Sequence, residues 1–196
     1  MPPKETDNSS YRSSSHLGYG DFACGGFFSS TDSARLSQLR LFYETVKDSV
    51  VVGSPKVVEL PLDTRSAIAL YETGELSSFG RGKELVYDEG YRQAREIKSP
   101  RFALSADFLV DSAIPTILMK KLNYTSPLSF RINKMNMYSQ GGFFKPHVDT
   151  PQGKDHIGTL VLCLPSHFRG GDLVVSHGEA TVTFDWRNQV KDGDIA

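Results

Sequence analysis

The second part of the chain alternates between short apolar runs and turn residues. From about residue 127 the runs are LSFRINKMNMYSQGGFF, IGTLVLCLP, GDLVVSHG and EATVTFDW, separated by Gly, Pro and Asn. Short alternating runs with such breaks are typical of antiparallel strands in a sandwich or barrel. The pattern therefore predicts a β unit over residues 127–196.

The part before it has a different texture. Residues 17–126 are predicted to be helical and mixed, and residues 1–16, which are polar and Ser-rich, are predicted to form a disordered lead-in. Helical spacing of Leu36, Leu39 and Phe42 or Tyr43 predicts a helix near 33–47. Two further helices are expected near 88–97 and 106–122, and SPKVVELPL is expected to be a short strand.

Proline and charge refine this picture at two places. Pro115 is expected to kink or split the helix over 106–122. The charged run GRGKELVYDEGYRQAREIK is interpreted as a solvated surface. The fold class predicted from all these segments is α+β.

One motif in the β unit carries candidate chemistry. GGFFKPHVDTP places His147 and Asp149 one residue apart. In an extended strand residues i and i+2 point to the same face, so the imidazole and the carboxylate would lie side by side. Such a pair is either a hydrogen-bonded couple on a sheet surface or two ligands of a metal site. The sequence alone leaves both interpretations open.

Composition narrows the class of partner. The chain has 22 Lys plus Arg against 23 Asp plus Glu, so its net charge is −1 and no nucleic-acid partner is expected. No apolar run approaches the roughly 20 residues that span a bilayer, so no membrane partner is expected either. Two cysteines do not make a disulfide framework, and the N-terminus has no secretory pattern. We therefore expect a cytoplasmic or nuclear protein.

The motifs MNMYSQGGFFKPHVDTP, GTLVLCLPSHFRGGDLVV and ATVTFDW together resemble the Fe(II)/2-oxoglutarate-dependent dioxygenase superfamily, in its prolyl 4-hydroxylase-like branch. The resemblance covers residues 19–186. It implies N-terminal helices packed on a partial double-stranded β-helix, or jelly roll. It also implies a hydroxylase that uses Fe(II), 2-oxoglutarate and dioxygen, and it allows ascorbate as an additional cofactor. The implied substrate is an unknown protein or small molecule.

The resemblance carries over to particular positions. His147 and Asp149 would be iron ligands, and Tyr138 would lie against 2-oxoglutarate. Gly141 and Gly142 would form the turn that delivers His147 to the metal, while Phe143 and Phe144 would wall the site.

The chain also departs from the family pattern. The distal histidine ligand and the basic residue that anchors 2-oxoglutarate are expected on strands beyond ATVTFDW, and no histidine follows His177. The expectation is a C-terminally incomplete β-helix core. The alternative function is a truncated, non-catalytic product that acts, if at all, as a binding protein. A weaker alternative is a zinc site made by His147, Asp149 and either His156 or His167.

Overall fold

The described chain consists of short strands joined by turns and loops, with two helices among them. The computed structural model describes residues 11–12, 22–25, 27–29, 39–48, 50–81, 84–105, 114–186 and 194–195. The helices are α1 (Thr64–Thr73) and α2 (Ile114–Lys121). In chain order the strands are β1 (Tyr11–Arg12), β2 (Phe27–Ser29), β3 (Arg40–Tyr43), β4 (Val46–Lys47), β5 (Val50–Val51), β6 (Lys56–Glu59), β7 (Glu75–Leu76), β8 (Phe79–Arg81), β9 (Glu84–Val86), β10 (Arg92–Gln93), β11 (Arg95–Lys98), β12 (Phe102–Leu104), β13 (Lys134–Met137), β14 (Phe143–Phe144), β15 (Leu173–His177), β16 (Ala180–Phe184) and β17 (Asp194–Ile195).

The strands pair in antiparallel fashion in seven small sheets. Three sheets have three strands, in the orders β1-β2-β17, β13-β11-β7 and β12-β3-β6. The other four are the pairs β10-β14, β15-β16, β4-β5 and β8-β9. The predicted α+β class is confirmed at this level, as a mixed chain of antiparallel strands with two helices among the described residues.

The helix predicted near 33–47 is wrong over the residues that the structure describes. Leu39, Leu41 and Tyr43 are buried while Arg40 is exposed, which is the two-residue period of a strand. This alternation places the segment in β3, between β12 and β6. Residues 33–38 lie outside the described residues.

The helix predicted near 88–97 is also wrong, because the segment forms β10 and β11. Arg92, Ala94 and Glu96 alternate as buried positions. The expected solvated surface therefore fails at Arg92 and Glu96, which are only 4% and 1% exposed. Two of the buried positions, Arg92 and Glu96, are charged, and charged residues are seldom buried without a partner. A search for alternating apolar residues therefore could not reveal this strand.

Two predictions for residues 17–126 are confirmed over the residues that the structure describes. SPKVVELPL contains β6. Of the helix expected over 106–122, residues 114–121 form α2, whereas 106–113 lie outside the described residues. Pro115 is the second residue of α2, where a missing backbone N–H leaves no hydrogen bond unmade, so it does not kink the helix.

Of the predicted lead-in, only Tyr11–Arg12 are described, and they form β1 opposite β2. Residues 1–10 and 13–16 lie outside the described part of the chain.

The core gathers around β3, β11 and α1. Its largest cluster of buried residues consists of Leu41, Tyr43, Leu62, Leu70 and Ile97. Met135 and Met137 of β13 pack against this cluster. β13, which lies upstream of the His-x-Asp motif, is therefore fixed to the core of the molecule.

β10 and β11 pair with the two strands that lead to the motif. β11 pairs with β13, from Arg95 opposite Met137 to Lys98 opposite Lys134. β10 pairs with β14, where Arg92 is opposite Phe144. Residues 138–142 loop out between the two pairings.

Later segments agree with the sequence only in part. β15 and β16 form the hairpin expected from GDLVVSHG and EATVTFDW, with Gly178 at φ 58° in its turn. IGTLVLCLP forms no strand, and Ile157, Leu160 and Val161 on it are exposed. A strand needs a neighbour, and the described residues provide none for this segment.

No helix in the described part of the chain is both long enough and apolar enough to cross a membrane.

Candidate metal site

The site begins where β14 ends. His147 and Asp149 follow that strand, and Nε2 of His147 lies 3.5 Å from Oδ1 of Asp149. The two side chains are 34% and 57% exposed. The structure thus brings together the imidazole and the carboxylate that the i, i+2 spacing predicted.

A glycine turn precedes the motif. Gly141 has φ 77°, in the left-handed region that favours glycine, and the N–H of Gly142 donates to the carbonyl of Ser139 at 2.8 Å. A Cβ on Gly142 would lie 2.9 Å from the carbonyl oxygens of both Gln93 and Ser139. The loop of residues 138–142 therefore packs closely on β10 at a point where only glycine fits.

One hydrogen bond selects the tautomer of the His147 ring when the ring is neutral. Nδ1 lies 2.9 Å from the carbonyl oxygen of Lys145. Because a carbonyl only accepts, Nδ1 carries the proton and Nε2 keeps its lone pair. That lone pair is the one a metal ion would use, and it is on the nitrogen beside Asp149.

Phe144 holds the plane of the same ring. Its ring centroid is 3.5 Å from that of His147, with 19° between the planes. Phe143 points to the other side of the strand, as alternation requires, and is 38% exposed. Of the two phenylalanines that were expected to wall the site, Phe144 is the one in contact with His147.

The carboxylate of Asp149 is held from its second oxygen. The hydroxyl of Thr159 donates to Oδ2 at 2.7 Å, which leaves Oδ1 on the side of His147. In both side chains, one atom forms a hydrogen bond with the protein and a second atom lies near the other residue of the pair.

The donor set fits a divalent metal ion as far as two ligands go. Imidazole nitrogen and carboxylate oxygen both suit iron, manganese or zinc. Ligand atoms sit about 2.1 Å from such ions, so two of them on one ion are at most about 4.2 Å apart. The 3.5 Å between Nε2 and Oδ1 lies within that span.

Tyr138, the other predicted site residue, lies apart from His147 and Asp149. Tyr138 directly follows β13 and is 48% exposed. Within the described residues no hydrogen bond or ring contact connects it with His147 or Asp149.

The other histidines in the described part of the chain do not join the pair. Nδ1 of His156 accepts a hydrogen bond from the N–H of Gln152, and His167 lies in an exposed loop. His177 ends β15, where its ring stacks on Phe22 at 5.5 Å. No group of three or more His, Cys, Asp or Glu side chains suited to a metal ion occurs among the described residues. The zinc alternative, which needed His156 or His167, is therefore without a third ligand there.

Sequence reasoning missed the residues that support the pair. Thr159 was read only as part of a strand, and Tyr91 and Arg92 were assigned to a helix and a solvated surface. The hydroxyl of Tyr91 donates to the carbonyl of Pro146 at 2.8 Å. The contacts of Tyr91 and Arg92 could have been predicted only if the segment around them had been recognised as a strand.

Comparison with known proteins adds no neighbour to this chain. No protein-family model, curated protein or solved structure matches it.

Proposed function

We propose that the chain binds iron(II) through Nε2 of His147 and Oδ1 of Asp149, as part of a 2-oxoglutarate-dependent dioxygenase site of the prolyl 4-hydroxylase-like type. In this proposal the strands from β13 to β16 belong to a partial double-stranded β-helix. The single observation that carries it is the 3.5 Å approach of two atoms whose partner atoms are already engaged by Lys145 and Thr159.

The separation of Nε2 and Oδ1 fits two ligands of one metal ion. Nε2 and Oδ1 lie 3.5 Å apart, farther than the about 2.8 Å of a direct hydrogen bond, and Nδ1 is engaged by the Lys145 carbonyl. In the neutral tautomer, Nε2 and Oδ1 both offer lone pairs to the same space. A divalent metal ion placed between the two atoms would be bound by both of them.

Each residue has a stated task in the proposed reaction. When bound, iron(II) supplies the coupling of 2-oxoglutarate decarboxylation to hydroxylation of a substrate by dioxygen. His147 and Asp149 would hold the ion, and 2-oxoglutarate would bind to it as the co-substrate. Thr159 and the Lys145 carbonyl orient these ligands. Tyr138 is assigned to the 2-oxoglutarate side by the family resemblance.

Two protein side chains hold the ion in this proposal, and the substrate is a protein side chain or a small molecule. The cysteine content suits a reducing compartment, cytosol or nucleus, in which iron(II) persists.

An anaerobic titration of the 196-residue chain with Fe(II) and 2-oxoglutarate tests the proposal. The expected result is a visible charge-transfer absorption band that is lost in His147→Ala and in Asp149→Ala. His156→Ala is the matched control, because it removes a nearby imidazole that is engaged with Gln152, and it should keep the band. An unchanged iron affinity in His147→Ala would contradict the proposal.

A second measurement separates an enzyme from a metal-binding protein without turnover. Succinate formation from 2-oxoglutarate in air, dependent on His147, indicates the enzyme. Iron binding that depends on His147 but gives no succinate favours the alternative of a non-catalytic binding protein.

A further inference from the structure

We propose that Tyr91, directly before β10, and Arg92, the first residue of β10, are positioning residues that hold His147 in its metal-binding orientation; this inference rests on the proposed function. Both belong to a segment far from the motif in sequence. Neither touches the atoms that would bind the ion.

Tyr91 holds the backbone just before His147 with two hydrogen bonds. Its carbonyl accepts from the N–H of Lys145 at 3.0 Å, and its hydroxyl donates to the carbonyl of Pro146 at 2.8 Å. The carbonyl of Lys145 is the group that fixes the His147 tautomer. Tyr91 therefore determines where the acceptor for Nδ1 lies.

The Tyr91 ring is itself fixed by aromatic neighbours. Its centroid lies 4.5 Å from that of Phe79, and it meets Phe144 edge-on at 6.0 Å. Such offset and edge contacts are the favoured geometries of aromatic pairs. The hydroxyl is thus presented to Pro146 by a side chain with little freedom to move.

Arg92 acts on the other neighbour of His147, the ring of Phe144. The Arg92 guanidinium carbon lies 4.3 Å from the Phe144 centroid, within the range of a cation–π contact. The guanidinium is fixed in turn by bonds to the Ser78 carbonyl at 2.6 Å and to Oδ1 of Asn136 at 2.7 Å. Because the same Phe144 ring stacks on His147, the buried Arg92 sets the plane of the imidazole.

These contacts distinguish a positioning role from general stability. Partners that orient a metal ligand typically change metal affinity by 10- to 100-fold when removed. Loss of one partly exposed hydroxyl has a small effect on folding by comparison. Tyr91→Phe should therefore lower the metal affinity clearly while it changes the melting temperature only slightly.

The test uses Mn(II) as the probe and the full 196-residue chain. Its dissociation constant is measured from the loss of the free Mn(II) EPR signal, at a temperature where each variant is fully folded. Tyr91→Phe and Arg92→Lys should each weaken binding by about tenfold. Tyr87→Phe, at a tyrosine that is 62% exposed, is the matched control and should bind as the natural chain does.

A spectroscopic readout accompanies the affinity. The visible ligand-field absorption of Co(II) reports ligand geometry, and it should change in Tyr91→Phe but not in Tyr87→Phe. Equal affinity and equal spectra for the natural chain, Tyr91→Phe and Arg92→Lys would overturn the inference. His147→Ala separates this failure from failure of the proposed function: if it also binds Mn(II) normally, the site itself is wrong.

Discussion

The hydroxyl of Thr159 donates a 2.7 Å hydrogen bond to Oδ2 of Asp149, across ten residues of chain. This bond gives the two carboxylate oxygens different tasks, since Oδ2 is held by the protein and Oδ1 faces His147. It also connects the segment 157–164 with the candidate site.

Thr159→Val should weaken Mn(II) binding by about tenfold, because the carboxylate loses the partner that orients it. Valine keeps the shape of the side chain and removes only the hydroxyl. The matched control is Thr181→Val, whose hydroxyl bonds that of Ser176 on the β15–β16 hairpin. Equal affinities for the two variants would contradict an orienting role for Thr159.

Glu96→Ala should lower the free energy of unfolding by about 3–5 kcal/mol. Glu96 is 1% exposed and accepts a 2.9 Å bond from Lys134, with Arg92 3.8 Å away. Its removal leaves the buried Arg92 without its carboxylate. Urea denaturation measures the change.

A surface pair provides the comparison for that experiment. Glu59 lies 3.5 Å from Arg40, with the side chains 80% and 49% exposed. Glu59→Ala should change the free energy of unfolding by less than about 1 kcal/mol. If both glutamate variants had the same stability, Glu96 would not be the centre of a buried charge cluster.

Gly142→Ala should destabilise the fold by about 1–3 kcal/mol, because its Cβ would meet two backbone carbonyls that cannot easily move. The shift of the loop should also weaken metal binding, which the Mn(II) titration detects. Gly153→Ala is the control, since a Cβ there meets nothing within 4 Å. A Gly142→Ala chain with natural stability would show that the loop does not pack on β10.

The cap of α1 should give a pH dependence. Asp63 accepts from the N–H of Ser66 at 2.7 Å, and the backbone and side-chain hydrogen bonds to Ser66 lower the pKa of its carboxyl below 3.8. A lowered folded-state pKa means that the stabilisation is present above pH 3.8 and is lost as the pH falls through the folded-state value.

Asp63→Ala should therefore lower the melting midpoint by about 3 °C at pH 7, and by less near pH 2. Asp63→Asn retains a good capping side chain without the charge, so its melting midpoint should lack this particular dependence. Thermal melts across this pH range check both. A constant difference between Asp63→Ala and the natural chain would contradict the linkage.

Cys163 should be a slow nucleophile. Burial raises the pKa of its thiol from 9.0 to about 11, so little thiolate exists at pH 8. Alkylation by iodoacetamide, followed by mass spectrometry, should be at least about tenfold slower in the folded chain than in urea. Equal rates would show that the thiol is not shielded in the folded protein.

The sequence predicted the elements in which apolar residues mark the buried face. β13, β15 and β16 fall within the predicted runs, and Gly141 and Gly142 form the predicted turn. The i, i+2 spacing also anticipated the approach of His147 and Asp149. These features depend on neighbours in the chain.

The failures arise where distant residues decide the structure. Arg92 and Glu96 are buried because each finds charged or polar partners across the sheet, and their polar character suggested the opposite. Leu39 and Tyr43 fit helical spacing as well as strand alternation, and pairing of β3 with β6 and β12 settles the choice. No local pattern contains that information.

The bond between Tyr91 and Pro146 spans 55 residues of sequence. The closing of so long a loop carries an entropic cost that only cooperative tertiary structure offsets. A peptide of residues 134–160 contains both candidate ligands, yet it lacks the strand against which they are arranged. Metal capture would then follow folding of the chain, and a metal ion added during refolding would report the moment at which the two distant segments meet.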